Sequence, residues 1–412
     1  MRLNALIVVL LTGLVAASYG FGIYLFAQLV PDMRASLGFD MTYVGAITAA
    51  GQFGFLVCAL LAAWLTPRLG GGWVIFGSGV VCGVALLLIP LSHNVLVIGF
   101  LLTVLAGTAA TVFVPMVDVL SRAVAYRYRG MAMGLVSSGT SYGVFINSLL
   151  VPMYAPQGEW RTVWWIVGLL TVLISIAVFV VFKRARLFIN AGSEPTPAAS
   201  SAPDDNPAIV STGEASHRSP LMQPWVLTVW SMNFLIGFST FPFQNYLSSY
   251  LRTELGFAVQ NTAQIWAVIG FVGMFAGLAV GWLSDRIGLR AAMVLVYVNV
   301  ALAALIFVVH PSGYWPLVAG ILFAIAFYPI FGLIPAYVSK MASTAALAVT
   351  IFGIANIMQG VGGMIGNYCS GLLASSSGTF VGVYCAIGVV AVLLTGLTFR
   401  LPRTMDSQSA NQ

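Results

Sequence analysis

Long, nearly unbroken apolar stretches alternate with short polar breaks along the chain. A helix needs about 20 mostly apolar residues to cross a bilayer, and helices or closed barrels are the structures that satisfy their own backbone there. Barrel strands would show as alternating segments of about ten residues, whereas these runs are continuous. Charges, Pro–Gly clusters and polar pairs bound twelve predicted helices. Six lie at 4–30, 42–66, 72–92, 95–120, 130–153 and 162–182. Six more lie at 224–250, 260–284, 291–310, 314–338, 344–375 and 378–399. The first run has no small-residue cleavage site behind a short apolar core, so it reads as a span and not a removed signal.

The sequence therefore predicts an all-α membrane protein of twelve transmembrane helices in two six-helix pseudo-symmetric bundles. The bundles cover 1–186 and 223–402. Between them, 187–222 is rich in Pro, Ala and Ser and reads as a flexible tether, and 403–412 as a tail. Composition agrees. The chain is 60% hydrophobic and 7% charged, against about 25% charge in a soluble domain. Four Cys in 412 residues exclude a disulfide scaffold.

Basic residues set the expected orientation. An even number of spans puts both termini on one side, and that side receives fourteen of the seventeen Arg and Lys. Only Arg34, Arg161 and Arg252 fall opposite. The bias predicts an inner-membrane protein with both termini and the linker cytoplasmic. It also accounts for the net charge of +6 without a nucleic-acid partner. The expected partners are the lipid bilayer and a small-molecule substrate, with the protein a monomer.

The two halves resemble each other. Shifted by 218 positions, residues 34–70 fall on 252–288 without a gap. Arg34, Gly38, Phe53, Trp64, Arg68 and Gly70 then coincide with Arg252, Gly256, Phe271, Trp282, Arg286 and Gly288. Charged and Gly positions held in register across 37 residues are not a by-product of apolar composition. Two parallel repeats are one architecture of carriers that hold substrate between them near mid-membrane.

Gly281, Asp285, Arg286, Gly288 and Arg290 stand in the order G-x-x-x-D-R-x-G-x-R. This resembles the loop motif between the second and third helices of each half in the major facilitator superfamily. Arg129-Gly130 opening the fifth helix and Glu159-Trp160-Arg161 before the sixth are similar to bacterial members. Among these, the style is closest to uptake-type permeases of the monocarboxylate, aromatic-acid and YbfB-like kinds. The resemblance implies that Asp285, Arg286, Gly288 and Arg290 latch the cytoplasmic side when the opposite side is open. A topology signal alone is the other reading. The first-half copy keeps Arg68 and Gly70 but has Pro67 for the acid and Gly72 for the last Arg. Asp118 is the expected replacement acid, with Arg122 one turn later on the same face and Arg68 across the helix interface. It is also the one carboxylate placed inside a predicted span, so it is the sole candidate for proton coupling.

Polar residues in spans face a bundle interior or a water-filled cavity. Asn356 and Gln359 sit in a stripe with Phe352, Gly363 and Asn367; Asn233, Phe241 and Gln244 recur on the seventh helix. Tyr24 and Gln28 lie one turn apart on the first, Ser141 and Asn147 on the fifth, Tyr328 on the tenth. Each can line a substrate cavity or simply bond helix to helix. Gly130/Gly134 and Gly139/Gly143 read as close helix contacts. No Arg, Lys or His falls mid-span, which disfavours a compact, multiply charged substrate. Amides and rings suit a small, largely neutral or singly charged organic nutrient, such as an aromatic acid, a flavin-like vitamin or a siderophore.

The leading expectation is an alternating-access importer. A drug or metabolite efflux antiporter is the alternative, although the fifth helix lacks the Gly-Pro signature common in exporters. A transport-dead sensor is a third reading. No cofactor or metal is expected: His93, His217 and His310 lie in loops, Cys58, Cys82, Cys369 and Cys385 stand singly, and no nucleophile–base pair indicates an enzyme.

Overall fold

A computed structural model describes residues 2–125, 128–188 and 220–402, and among these every regular element is helical. Eleven helices are long and apolar enough to cross a membrane. In the first half they are α1 (Leu3–Leu37), α2 (Met41–Leu69), α3 (Gly71–Leu91), α4 (Val95–Ala123) and α6 (Trp160–Arg184). In the second they are α7 (Pro224–Glu254), α8 (Val259–Ile287), α9 (Leu289–Val309), α10 (Trp315–Met341), α11 (Leu347–Ser377) and α12 (Val381–Thr398). The twelfth, α5, comes in two pieces, Arg129–Ser137 and Gly139–Tyr154.

The break in α5 falls beside its closest approach to α1. A side chain at Gly139 would overlap the Thr12 carbonyl of α1, and one at Gly143 would overlap that of Ala16. Backbone thus lies on backbone along this crossing, as the Gly139/Gly143 spacing predicts. Gly134, by contrast, faces open space, so the Gly130/Gly134 spacing is not a contact of that kind. Opposite the crossing, α1 widens into a π-helical segment, Ala16–Tyr24. The Gly20 carbonyl there accepts the Asn147 amide of α5 at 2.7 Å. Such widened turns are rare and concentrate at functional positions.

The sequence repeat has a counterpart in the helix bounds. Both ends of α2 and α8 differ by 218 positions. Gly38 and Gly256 close the preceding helices with φ of +74° and +69°, where a Cβ would be strained. Arg68 lies over the Trp64 ring at 3.7 Å, and Arg286 over Trp282 at 3.7 Å. Each cation–π contact contributes about 0.5–1 kcal/mol at an exposed site.

The halves meet through three main helix pairs: α1 with α7, α2 with α11, and α5 with α8. Gly45 approaches Gly371, Gln52 and Leu56 approach Gly363 and Gly360, and Phe145 lies on Gly270. All these contacts lie at or beyond mid-span toward the end that carries Asp32. The opposite end carries Asp118 and Asp285.

The chain stays packed past the first bundle's expected end. Leu187 is buried, and the Phe188 ring lies 4.3 Å from that of Trp73. Residues 189–219 of the expected tether and the 403–412 tail lie outside the described residues.

Candidate substrate site and gates

Three cross-half contacts mark the centre of the molecule. The Tyr24 ring of α1 meets Phe327 of α10 edge-on, with centroids 6.5 Å apart. Gln52 of α2 lies beside Gly363 of α11, under the Phe241 ring of α7. Ser141 of α5 stands beside Tyr328 of α10 without closing a hydrogen bond. Tyr328 can lie flat there because its ring covers Gly273 of α8.

Around this centre, buried polar atoms divide into two groups. One group is already bonded within the protein. Asn245 donates to the Asn367 side chain at 2.8 Å, and Tyr246 OH to the Asn367 carbonyl at 2.8 Å. The Trp230 indole N–H reaches the Ile351 carbonyl, and Asn233 turns back to Val229 on its own helix. The other group has no protein partner: Gln28 Oε1, Ser141 Oγ, Asn147 Oδ1, both ends of Gln244, Tyr328 OH and Gln359 Nε2. A buried polar group left unpaired costs about 1–3 kcal/mol. The outlying orphans, Trp160, Trp164, Ser249 and Thr262, lie toward the Asp32 end.

The eleventh-helix stripe therefore splits. Gln359 is buried with its Nε2 unpartnered, Asn367 bonds Asn245 through Oδ1 while its own Nδ2 has no partner, and Asn356 is exposed on the far side of mid-span. Beside Gln52, Thr48 and Asn245, a hollow of about 30 Å³ remains between α1, α2, α4 and α7. That holds one or two waters, not a substrate.

The Asp32 end is closed by charge. Arg252 of α7 grips Asp32 of α1 with both guanidinium nitrogens, at 2.5 and 2.7 Å. The two side chains are 16% and 8% exposed, so the pair is largely out of water. The other acids at this end serve helix N-termini. Asp40 caps α2 through the Tyr43 amide, Glu254 binds the Phe380 amide before α12, and Glu159 bonds Thr162 at the start of α6. Asp32 alone among them crosses between halves.

At the opposite end the two loop motifs differ. Asp285 is exposed and makes no ion pair among the described residues. Gly288 turns the chain with φ +86°, and Arg290 donates to the Phe399 carbonyl at the end of α12. In the first half Asp118 takes Arg122 at 2.5 Å, as its spacing predicts. Its second partner is not Arg68 but the Gly71 amide at the start of α3, at 3.2 Å. A carboxylate at a helix N-terminus meets the positive end of the dipole. A Cβ on Gly71 would come within 2.5 Å of that carboxylate, and one on Gly72 would overlap the Leu187 carbonyl after α6. Gly72 thus packs directly on the segment after α6, whereas its counterpart Arg290 reaches the end of α12 by side chain; a side chain at 72 would not fit.

The family profile of the Major Facilitator Superfamily matches residues 12–367. The chain belongs to that superfamily. Its fold is that of a multi-pass membrane transporter. Over 272 residues it is 22% identical to the probable sulfoacetate transporter SauU of Cupriavidus necator, which covers 62% of this chain but only 59% of that one. Over 400 residues it is 22% identical to the hexuronate transporter of Bacillus subtilis, covering 92% of this chain and 90% of the relative. In fold it is similar to the nucleoside transporter NupG, with a TM-score of 0.69 at 13% identity, covering 97% of this chain and 99% of that one. It is also similar to a bacterial homologue of the human lysosomal transporter Spinster in an inward-facing and occupied conformation, with a TM-score of 0.75 at 14% identity. That match covers 99% of this chain and 98% of the other.

For a superfamily transporter, two residues outside the expected set stand out. Gln52 shares the central contact with Phe241, and Asp32 forms the cross-half ion pair. Asp32 precedes Arg34 by two positions, a spacing at which helix side chains do not face each other. That spacing was the available signal that Asp32 needs a base elsewhere.

Proposed function

We propose that the protein imports a small, largely neutral or singly charged organic nutrient across the cell inner membrane by alternating access. The lobes 1–186 and 223–402, joined by 187–222, rock about the mid-span belt, with both termini and the Asp118 end cytoplasmic. The carrying observation is the belt of partnerless amides and hydroxyls between Tyr24, Phe241 and Phe327. No described charged residue of the spans lies more than two turns from a helix end. Such a site recognises hydroxyl, carbonyl and amide groups while aromatic faces cover apolar surface. The hexuronate named for one relative is a monoacid and supports the singly charged end of this range, whereas the sulfoacetate named for another carries two acid groups.

The test begins with a thermal-shift screen of the purified protein against aromatic acids, sugar acids, flavins and siderophores. A hit should then be taken up by vesicles carrying the protein. Gln244→Ala and Gln359→Ala should each weaken its binding about tenfold, since each removes hydrogen bonds from a water-poor site. Binding untouched by both changes would remove the belt from the site. A hit that binds but is never moved would make the protein a sensor.

Asp285→Asn tests the latch separately. Asp285 has no ion-pair partner among the described residues, so a latch role places its partners in the alternate conformation. The variant should therefore slow turnover severalfold while leaving equilibrium binding within twofold. Unchanged turnover would leave the loop as a topology signal.

A further inference from the structure

We propose that the substrate is a small hydroxylated monoacid held in one orientation, its acid group against the second half and its hydroxyls against the first. This rests on the importer reading above and names its substrate class.

The argument starts from which end of each amide is already engaged. A backbone carbonyl can only accept a hydrogen bond, so an amide facing one must present its NH₂. Asn147 presents Nδ2 to the Gly20 carbonyl at 2.7 Å, and Gln28 presents Nε2 to the Val144 carbonyl at 3.4 Å. Both amides lie in the α1–α5 crossing, 0% and 2% exposed. What they leave without a partner is oxygen: Asn147 Oδ1 and Gln28 Oε1. The amides of the first half are thereby fixed as acceptors. They can receive a substrate hydroxyl, and they repel a carboxylate.

The second half is not fixed in this way. Gln244 is fully buried with both ends free, Gln359 has a free Nε2, and Tyr328 has a free hydroxyl. These three supply donors. A carboxylate accepting two or three hydrogen bonds keeps its charge even out of water, so neutral donors suffice for one acid group. They do not suffice for two. A second carboxylate would meet the two locked oxygens, the rings of Tyr24 and Phe327 and the single Ser141 hydroxyl, with no base to offset its desolvation. The alternation of acceptors and donors across the halves thus selects one charge, at one end, with hydroxyls at the other.

The test uses the purified full-length protein and calorimetric titration with lactate, gluconate, sorbitol, hexanoate and glucarate. At least one of the two hydroxylated monoacids should bind ten times more tightly than the uncharged polyol, the plain acid and the diacid. Equal binding of any of those three, or binding of neither monoacid, overturns the proposal. Orientation is read by placing a carboxylate on each half, at pH 8 to keep it ionised. Gln359→Glu should weaken monoacid binding more than tenfold. Gln28→Glu, farther from the bound acid group, should weaken it at least threefold less than Gln359→Glu does. Equal or reversed effects refute the orientation. Unliganded melting temperatures verify that both variants fold, and Gln359→Met, uncharged and of similar length, should lose only part of the affinity. Transport of a solute outside this class, still sensitive to Gln244→Ala, would sink the orientation and leave the importer reading intact. If no solute is moved, both fall.

Discussion

Arg252→Ala should open the Asp32 end and slow transport at least tenfold, and Asp32→Ala should do the same. The pair is bidentate, at 2.5 and 2.7 Å, and largely shielded from water. Removing one partner of a buried pair costs about 3–5 kcal/mol, because the other charge is left buried and alone. Each residue belongs to a different half, so neither bundle loses an internal contact. The loss falls on the equilibrium between closed and open ends. Even 3 kcal/mol shifts a two-state equilibrium more than a hundredfold. Spin labels at Ser36→Cys and Thr253→Cys, with the exposed Cys369 and Cys385 replaced by Ser, report the separation of α1 and α7 at this end. The labels should move apart in either single variant. The exchange Asp32→Arg with Arg252→Asp should bring them back, since it restores opposite charge across the same gap. Distances unchanged in the single variants would show that the ion pair does not hold this end closed.

Why Asp32 escaped a reading of the sequence is instructive. Pro31 and Asp32 together resemble the end of a span, yet α1 runs on to Leu37 with Pro31 inside it. A charge-terminated span thus moved Asp32 out of the membrane and left Asp118 as the sole buried acid. The repeat gave no help, because position 32 falls on Tyr250 in the second half. One half contributes the acid and the other the base, so the pair exists only between them. By contrast the α2–α8 equivalence was legible to the residue, because Gly, Trp and Arg at turns and helix ends are set by backbone geometry and local contact.

The polar belt was legible by residue type but not by role. Helical spacing put Asn356, Gln359 and Asn367 on one stripe, and only packing shows that the Asn367 oxygen is taken by Asn245 while the NH₂ groups of Asn367 and Gln359 have no partner. The same limit applies to Asn147 and Gln28, where a neighbouring carbonyl decides which end of the amide is available. Asp118 illustrates a third case. Its partner Arg122 follows from i,i+4 spacing, whereas the Gly71 amide became a partner because two glycines let α3 begin against α4.

Gly45→Trp should hold the Asp32 end apart and reduce transport below detection without unfolding the protein. Gly45 on α2 and Gly371 on α11 cross with backbone nearly touching backbone. A Cβ on Gly45 would lie 2.9 Å from the Asn367 carbonyl oxygen and 3.1 Å from the Gly371 Cα, and one on Gly371 would lie 2.8 Å from the Met41 carbonyl oxygen. Backbone cannot turn aside as a flexible side chain can, so a bulky ring forces the helices apart. These helices belong to different halves, and parting them is the motion that alternating access requires. The strain is therefore relieved along the functional coordinate. Gly237→Trp is the contrasting case. Its Cβ would overlap the Gln359 carbonyl, but α7 and α11 lie in the same half, where no such motion exists. That variant should fail to yield folded protein, while Gly45→Trp should keep a cooperative melt and show the long label distance of the unlatched ion-pair variants. A short distance with transport intact would mean that the α2–α11 crossing is not part of the moving interface. Collapse of both variants alike would mean that the two halves depend on this crossing to fold.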